Sequence, residues 1–138
     1  MEHIFERTIN YYETDKMGVV HHSNYIRFLE EARCEFLKSI DMPYDKLEKM
    51  GIMIPVLEVN CKYKYHVGFE DTIIIKSKIT SFTGVKMTIE YELINKATNS
   101  LVMIAETKHC FTNNYLKPIN LKKHLSDGYE KIINAIEN

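Results

Sequence analysis

Three features of the 138-residue sequence predict an α+β fold in which an antiparallel sheet of about five strands wraps one long helix, with a second helix near the C-terminus. Tyr25, Phe28, Leu29, Ala32, Phe36, Leu37 and Ile40 recur at three- and four-residue steps, the stripe of a helix with one buried face. From Ile54 onward the apolar period falls to two. The turns between the later strands are too short for parallel crossovers, so those strands must be mainly antiparallel, and the early helix is left to cover one sheet face.

Taken in order, His3 to Tyr12 alternates Ile4, Glu6, Thr8 and Asn10 with Phe5, Arg7, Ile9 and Tyr11, which suits a strand that delivers Asp15 to a loop. The helix follows over Asn24 to about Ile40, roughly 25 Å long. Ser23 or Asn24 supplies its N-cap, and Pro43 disfavours helical geometry at Met42, which ends it near Asp41. Arg27, Glu30, Glu31, Arg33 and Glu35 fall on its wetter side, and Arg27 with Glu31 has the spacing of an i,i+4 ion pair. A helical turn over Tyr44 to Met50 ends at Gly51. Val59, Cys61, Tyr63, Tyr65 and Val67 then alternate with Asn60, Lys62, Lys64 and His66, the pattern of a strand with one face buried. Gly68 to Asp71 turns the chain into a strand over Thr72 to Phe82. Thr83 and Gly84 connect tightly to the run Val85, Met87, Ile89, Tyr91 and Leu93, and Asn95 to Asn99 turns into a last long strand, Leu101 to Phe111. Leu121 to Ile136 closes the order as a helix with Gly128 as its weak point. A sheet with an uncovered face or an open edge calls for a second subunit, so a homodimer is expected.

The length suits one domain, residues 1–138, and a hydrophobic content of 45% suffices for a real core. Lys and Arg number 18 against 19 Asp and Glu, and a net charge of -1 offers no broad field for nucleic acid or an anionic membrane. No apolar run approaches the roughly 20 residues that cross a bilayer, and the opening Met-Glu-His-Ile-Phe-Glu-Arg lacks the apolar core of a signal peptide. Cys34, Cys61 and Cys110 are odd in number and form no C-x-x-C pair, which leaves no zinc ribbon or redox motif and points to a reducing, cytoplasmic setting. Walker A, G-x-G-x-x-G and G-x-S-x-G elements are absent, and no cofactor is expected.

The chemistry concentrates between Tyr11 and Arg33, which read Y-Y-E-T-D-K-M-G-V-V-H-H-S-N-Y-I-R-F-L-E-E-A-R. Asp15 lies in a loop just before a helix start. Gly18 there allows close backbone approach or a positive φ, Val19 and Val20 make a dry wall, and the helix start offers unpaired N–H groups with a partial positive charge. A turn aspartate is the ordinary reading of an acid in such a loop. The neighbourhood suits a thioester: an N–H near His22 stabilises the oxygen that gains charge, while Asp15 attacks the carbonyl or deprotonates a water. A metal held by His21, His22 and Asp15 is disfavoured, because adjacent histidines project differently and His66, His109 and His124 show no ligand spacing. Lys62, Lys64 and Lys86, or Lys117, Lys122 and Lys123, have the charge to meet phosphates of a nucleotide carrier, although such lysines ordinarily just solvate a surface.

The Tyr11–Arg33 segment resembles the signature of the 4-hydroxybenzoyl-CoA thioesterase-like acyl-CoA thioesterases, a family with the hotdog fold, and the Pro55–Val59 stretch P-V-L-E-V agrees with it. The resemblance implies an acyl-CoA substrate, a homodimer or homotetramer with sites at subunit interfaces, Asp15 as the catalytic carboxylate and the His22 amide as the group that polarises the carbonyl. Gly18, Val19 and Tyr25 join them as expected substrate-binding residues. Glu13 stands where many relatives carry aspartate. Two rival readings share the fold: a noncatalytic module that binds acyl-CoA or an acyl-carrier protein, and a hydratase, whose acid and histidine pair is not found here.

Overall fold

The computed structural model describes residues 1–138. Strand β1 (His3–Thr8) leads through a 3₁₀ turn at Tyr11–Glu13 to helix α1 (His22–Ser39) and the short α2 (Tyr44–Lys49). Strands β2 (Val56–Tyr63), β3 (Thr72–Phe82), β4 (Lys86–Asn95) and β5 (Leu101–Cys110) follow, then α3 (Leu121–His124) and α4 (Ser126–Glu137). The five strands form one sheet in the order β1-β3-β4-β5-β2, antiparallel throughout. Phe28, Leu29, Ala32, Phe36 and Leu37 of α1 are buried with Ile73, Ile75, Ile89, Leu93 and Met103 of the sheet in one core of 28 residues. The helical stripe and the period-two strands thus meet as the pattern predicts.

Several expectations need correction. Strand β1 stops at Thr8, because Asn10 starts a capping box in which Glu13 accepts from the Asn10 N–H at 2.8 Å and turns the chain early. Helix α1 starts two residues before Asn24 and is capped by His21, whose side chain accepts from the Ser23 N–H, rather than by Ser23 or Asn24. The closing helix breaks at Leu125, where φ is -152°, and not at Gly128. Gly128 is buried in α4, where an added Cβ would lie 2.9 Å from Leu125 Cδ2 and 3.0 Å from Met42 Cε. Strand β2 ends at Tyr63, and the expected alternation through Val67 leaves Val59, Tyr63 and Tyr65 exposed. The reason is its place: β2 hydrogen-bonds to β5 alone and forms an edge, so its inward-pointing side chains lack a neighbouring strand to pack on.

The largest departure lies on α1. Arg33, placed by spacing on the wet side, is 5% exposed; its Nε donates to the Tyr44 hydroxyl at 3.1 Å and its Nη1 to the Tyr91 hydroxyl at 3.4 Å. Tyr91 and Thr107 share a 2.7 Å hydrogen bond, and Thr107 Oγ1 lies 2.8 Å from His109 Nε2. Burial, and secondarily the Arg33 charge, lowers the His109 pKa to about 4. His109 is therefore neutral in the folded protein at neutral pH.

Because the unfolded imidazole binds its proton near pH 6.5, the unfolded state holds the extra proton between about pH 6.5 and about 4. Stability from this group is present above that window and lost as pH falls through it. Urea unfolding across the window should give a stability loss that is smaller in a His109→Leu variant; identical pH slopes would contradict the account.

Candidate active site

The loop that carries Asp15 is a small closed hairpin fastened to the start of α1. Thr14 and Val20 form an antiparallel bridge, the Asp15 N–H donates to the Val19 carbonyl at 2.8 Å, and the Gly18 N–H donates to the Asp15 carbonyl at 3.0 Å. Gly18 takes φ 78° in open space, so its role in the fold is the turn itself. The other wall is the segment after β2: the Val20 N–H donates to the Val67 carbonyl, and Val19 bridges Gly68. A Cβ on Gly68 would stand 2.9 Å from the Gly18 carbonyl oxygen, which explains the glycine there.

Glu13 ties this loop to the helix. Its backbone carbonyl accepts from the His21 N–H at 2.9 Å and from Asn24 Nδ2 at 2.8 Å. Its buried carboxylate takes a two-pronged pair from Arg7, at 2.9 and 2.8 Å. Arg7 in turn pairs with Glu31 at 2.8 Å and lies over the Phe28 ring at 3.9 Å. Glu31 thus belongs to Arg7 and not to Arg27, which donates to Asn24 instead. The Arg7–Glu13 cluster carried no signal in the sequence beyond an acid and a base of ordinary spacing.

Asp15 is half-buried. One oxygen, Oδ1, accepts from the Met17 N–H at 2.8 Å, so the turn role is real, while Oδ2 takes no hydrogen bond from the chain. At the helix start the Ser23 and Asn24 N–H groups turn back onto His21, at 3.2 and 2.9 Å, and the His22 N–H has no acceptor in the chain. Such an orphan donor at the positive end of a long helix is suited to an oxygen that acquires negative charge.

Beside it opens a recess of about 400 Å³ lined by Val20, His22, Tyr25, Tyr63, Lys64, Tyr65 and His66. Of the residues singled out in the sequence, His22 and Tyr25 line this recess; Val20 lines it in place of Val19, and Gly18 stays in the turn. The Tyr25 and Tyr63 rings stand 5.2 Å apart, and burial, followed by the neighbouring Tyr63, pushes the Tyr25 hydroxyl up to about 12. Tyr25 therefore remains a neutral hydroxyl. Tyr63, Tyr65 and His66 were legible only as strand residues, since their meeting with the helix start depends on where the segment after β2 returns. Lys64 is the one candidate phosphate lysine that reaches the recess.

A long helix held in a curled five-stranded antiparallel sheet, with an open helix start at one end of its core, defines the hotdog fold. The chain belongs to the thioesterase-like superfamily, whose family model matches residues 9–127, and with it to the thioester hydrolases. A protein of Aquifex aeolicus that carries an esterase name is 37% identical over 114 residues, 83% of this chain and 88% of that one. The acyl-CoA thioester hydrolase YbgC of Escherichia coli O6:H1 is 30% identical over 98 residues, 71% of this chain and 72% of its own. The crystal structure of a DHNA-CoA thioesterase from Staphylococcus aureus superposes with a TM-score of 0.92 at 28% identity, covering 96% of this chain and 89% of that one.

Proposed function

We propose that the protein is a single-domain acyl-CoA thioesterase that hydrolyses an acyl-CoA to the free acid and CoA, with Asp15 as the working carboxylate and the His22 N–H as the oxyanion donor. The pairing of an N–H without an acceptor and a carboxylate with one free oxygen, on elements bolted together through Glu13, carries this reading. The substrate carbonyl oxygen points at the His22 N–H and gains negative charge as its carbon becomes tetrahedral; a fixed donor there is worth about 2.7–4 kcal/mol. Asp15 either adds to the carbon and expels the CoA thiolate, the resulting anhydride then taking up water, or removes a proton from the water that adds directly. Tyr25, with Tyr63 and Tyr65, walls the acyl group, and Gly18 and Val19 hold the loop from behind.

The test is free-thiol release from a panel of aliphatic and aromatic acyl-CoAs. Release from one or more substrates supports the enzyme; binding without release from any would instead favour the noncatalytic acyl-CoA or acyl-carrier module.

The same reading includes a homodimer in the cytoplasm. Val56, Leu57, Val59 and Tyr63 are 46%, 53%, 37% and 50% exposed along β2, whose outer edge has no strand partner, and apolar edge strands left open invite pairing. Light scattering should give twice the chain mass; a folded, active monomer would contradict the dimer. The three cysteines are unbridged, which supports a reducing compartment. No helix is long and apolar enough to cross a membrane.

A further inference from the structure

We infer that the imidazole of His21 is a positioning residue that aims the His22 N–H, an assignment that rests on the thioesterase reading above. Helix N-caps are ordinarily Ser, Thr, Asp or Asn, whose side-chain oxygen accepts from a first-turn N–H. Here a histidine nitrogen does so: His21 Nδ1 accepts from the Ser23 N–H at 3.2 Å and lies 2.8 Å from Ser23 Oγ. The residue is engaged on every side. Its own N–H donates to the Glu13 carbonyl, its carbonyl accepts from the Asn24 N–H, both at 2.9 Å, and its ring stacks on His22 with centroids 4.4 Å apart and planes 28° from parallel.

The consequence for the neighbouring amide is geometric. The amides of residues 21, 23 and 24 are drawn onto Glu13 or His21, whereas the amide of residue 22 has no acceptor in the chain. The cap fixes the backbone rotation of residues 21 to 23 and with it the direction of that donor. Nδ1 has a single in-plane lone pair, so it accepts from Ser23 only when its ring proton is on Nε2. His21 is thereby assigned one tautomer, and its work is done without touching the thioester.

Two measurements on the full chain test this. In the ¹⁵N spectrum of protein labelled at the imidazoles, at neutral pH, His21 should show an unprotonated Nδ1 and a protonated Nε2; a proton on Nδ1 would overturn the assignment whatever the enzyme's substrate. In kinetics, His21→Phe keeps a ring to stack on His22 but has no acceptor, whereas His21→Asn loses the ring and restores a cap. The Phe variant should lose roughly tenfold in kcat with KM little changed, as a misaimed donor acts on the transition state, and the Asn variant should recover to within about twofold of wild type. Retention by Phe would make stacking the role, and loss in both variants would make the imidazole a chemical participant; either result overturns positioning. Asp15→Asn run in the same assay separates the two layers: undiminished turnover there would remove the mechanism proposed for Asp15 and leave the tautomer result standing on its own.

Discussion

Asp15→Asn is expected to lower kcat for thioester hydrolysis by roughly 10²–10⁴-fold, the span that a positioned base or nucleophile commonly contributes. The structure makes this substitution a clean one. The asparagine carbonyl oxygen can still accept from the Met17 N–H, as Asp15 Oδ1 does at 2.8 Å, so the hairpin from Thr14 to Val20 retains its closure and only the charge is removed. CoA binding and thermal unfolding should therefore change little. Asp15→Ala would release the turn as well, and its loss of activity would mix chemistry with geometry. Free-thiol release with the best acyl-CoA of the panel provides the measurement, and equal rates for Asn variant and wild type would remove Asp15 from the mechanism.

Glu13→Ala should cost about 1.5–3 kcal/mol of folding stability, because it removes the two-pronged partner of Arg7 at a site where the two side chains are 11% and 7% exposed, while Glu31 still holds the guanidinium at 2.8 Å. It also removes the carboxylate that accepts from the Asn10 N–H. Glu13→Gln keeps a neutral acceptor for both donors and should lose distinctly less. Because the Glu13 backbone carbonyl holds the His21 N–H and Asn24 Nδ2, loosening this corner should also lower kcat. Urea unfolding monitored by circular dichroism supplies the stability difference, and a change below about 1 kcal/mol would show that the pair is replaceable by water.

The elements of this fold were legible because each is written in its own period. Phe28, Leu29, Ala32, Phe36 and Leu37 mark α1 regardless of what lies beneath them, and Ile73, Ile75 and Ile79 mark β3 in the same way. Asp15, Gly18 and His22 were also visible, since a loop acid before a helix start is a local pattern. What remained hidden was long-range. Arg33 has the spacing of a surface residue, and its burial follows from Tyr44 and Tyr91, which come 11 and 58 residues later. Val59 and Tyr63 alternate like buried residues and are exposed because the sheet order puts β2 at an edge, a fact that no strand's own pattern contains. The cap at His21 was missed because histidine is an uncommon cap, and the Ser23 beside it is a common one.

The sheet order bears on how the site is assembled in time. Strands β3, β4 and β5 pair with their sequence neighbours through tight turns, so that meander closes short loops. Strand β1 must find β3 across the whole of α1, α2 and β2, with His3 opposite Ser77 and Thr8 opposite Thr72, and such distant pairing carries a larger loop-closure entropy. The Asp15 hairpin hangs between that strand and α1 and is walled by Val67 and Gly68, just ahead of β3. Its geometry is complete only when the longest-range strand pairing of the sheet has formed. A chain that has folded only its meander therefore has no partly working site.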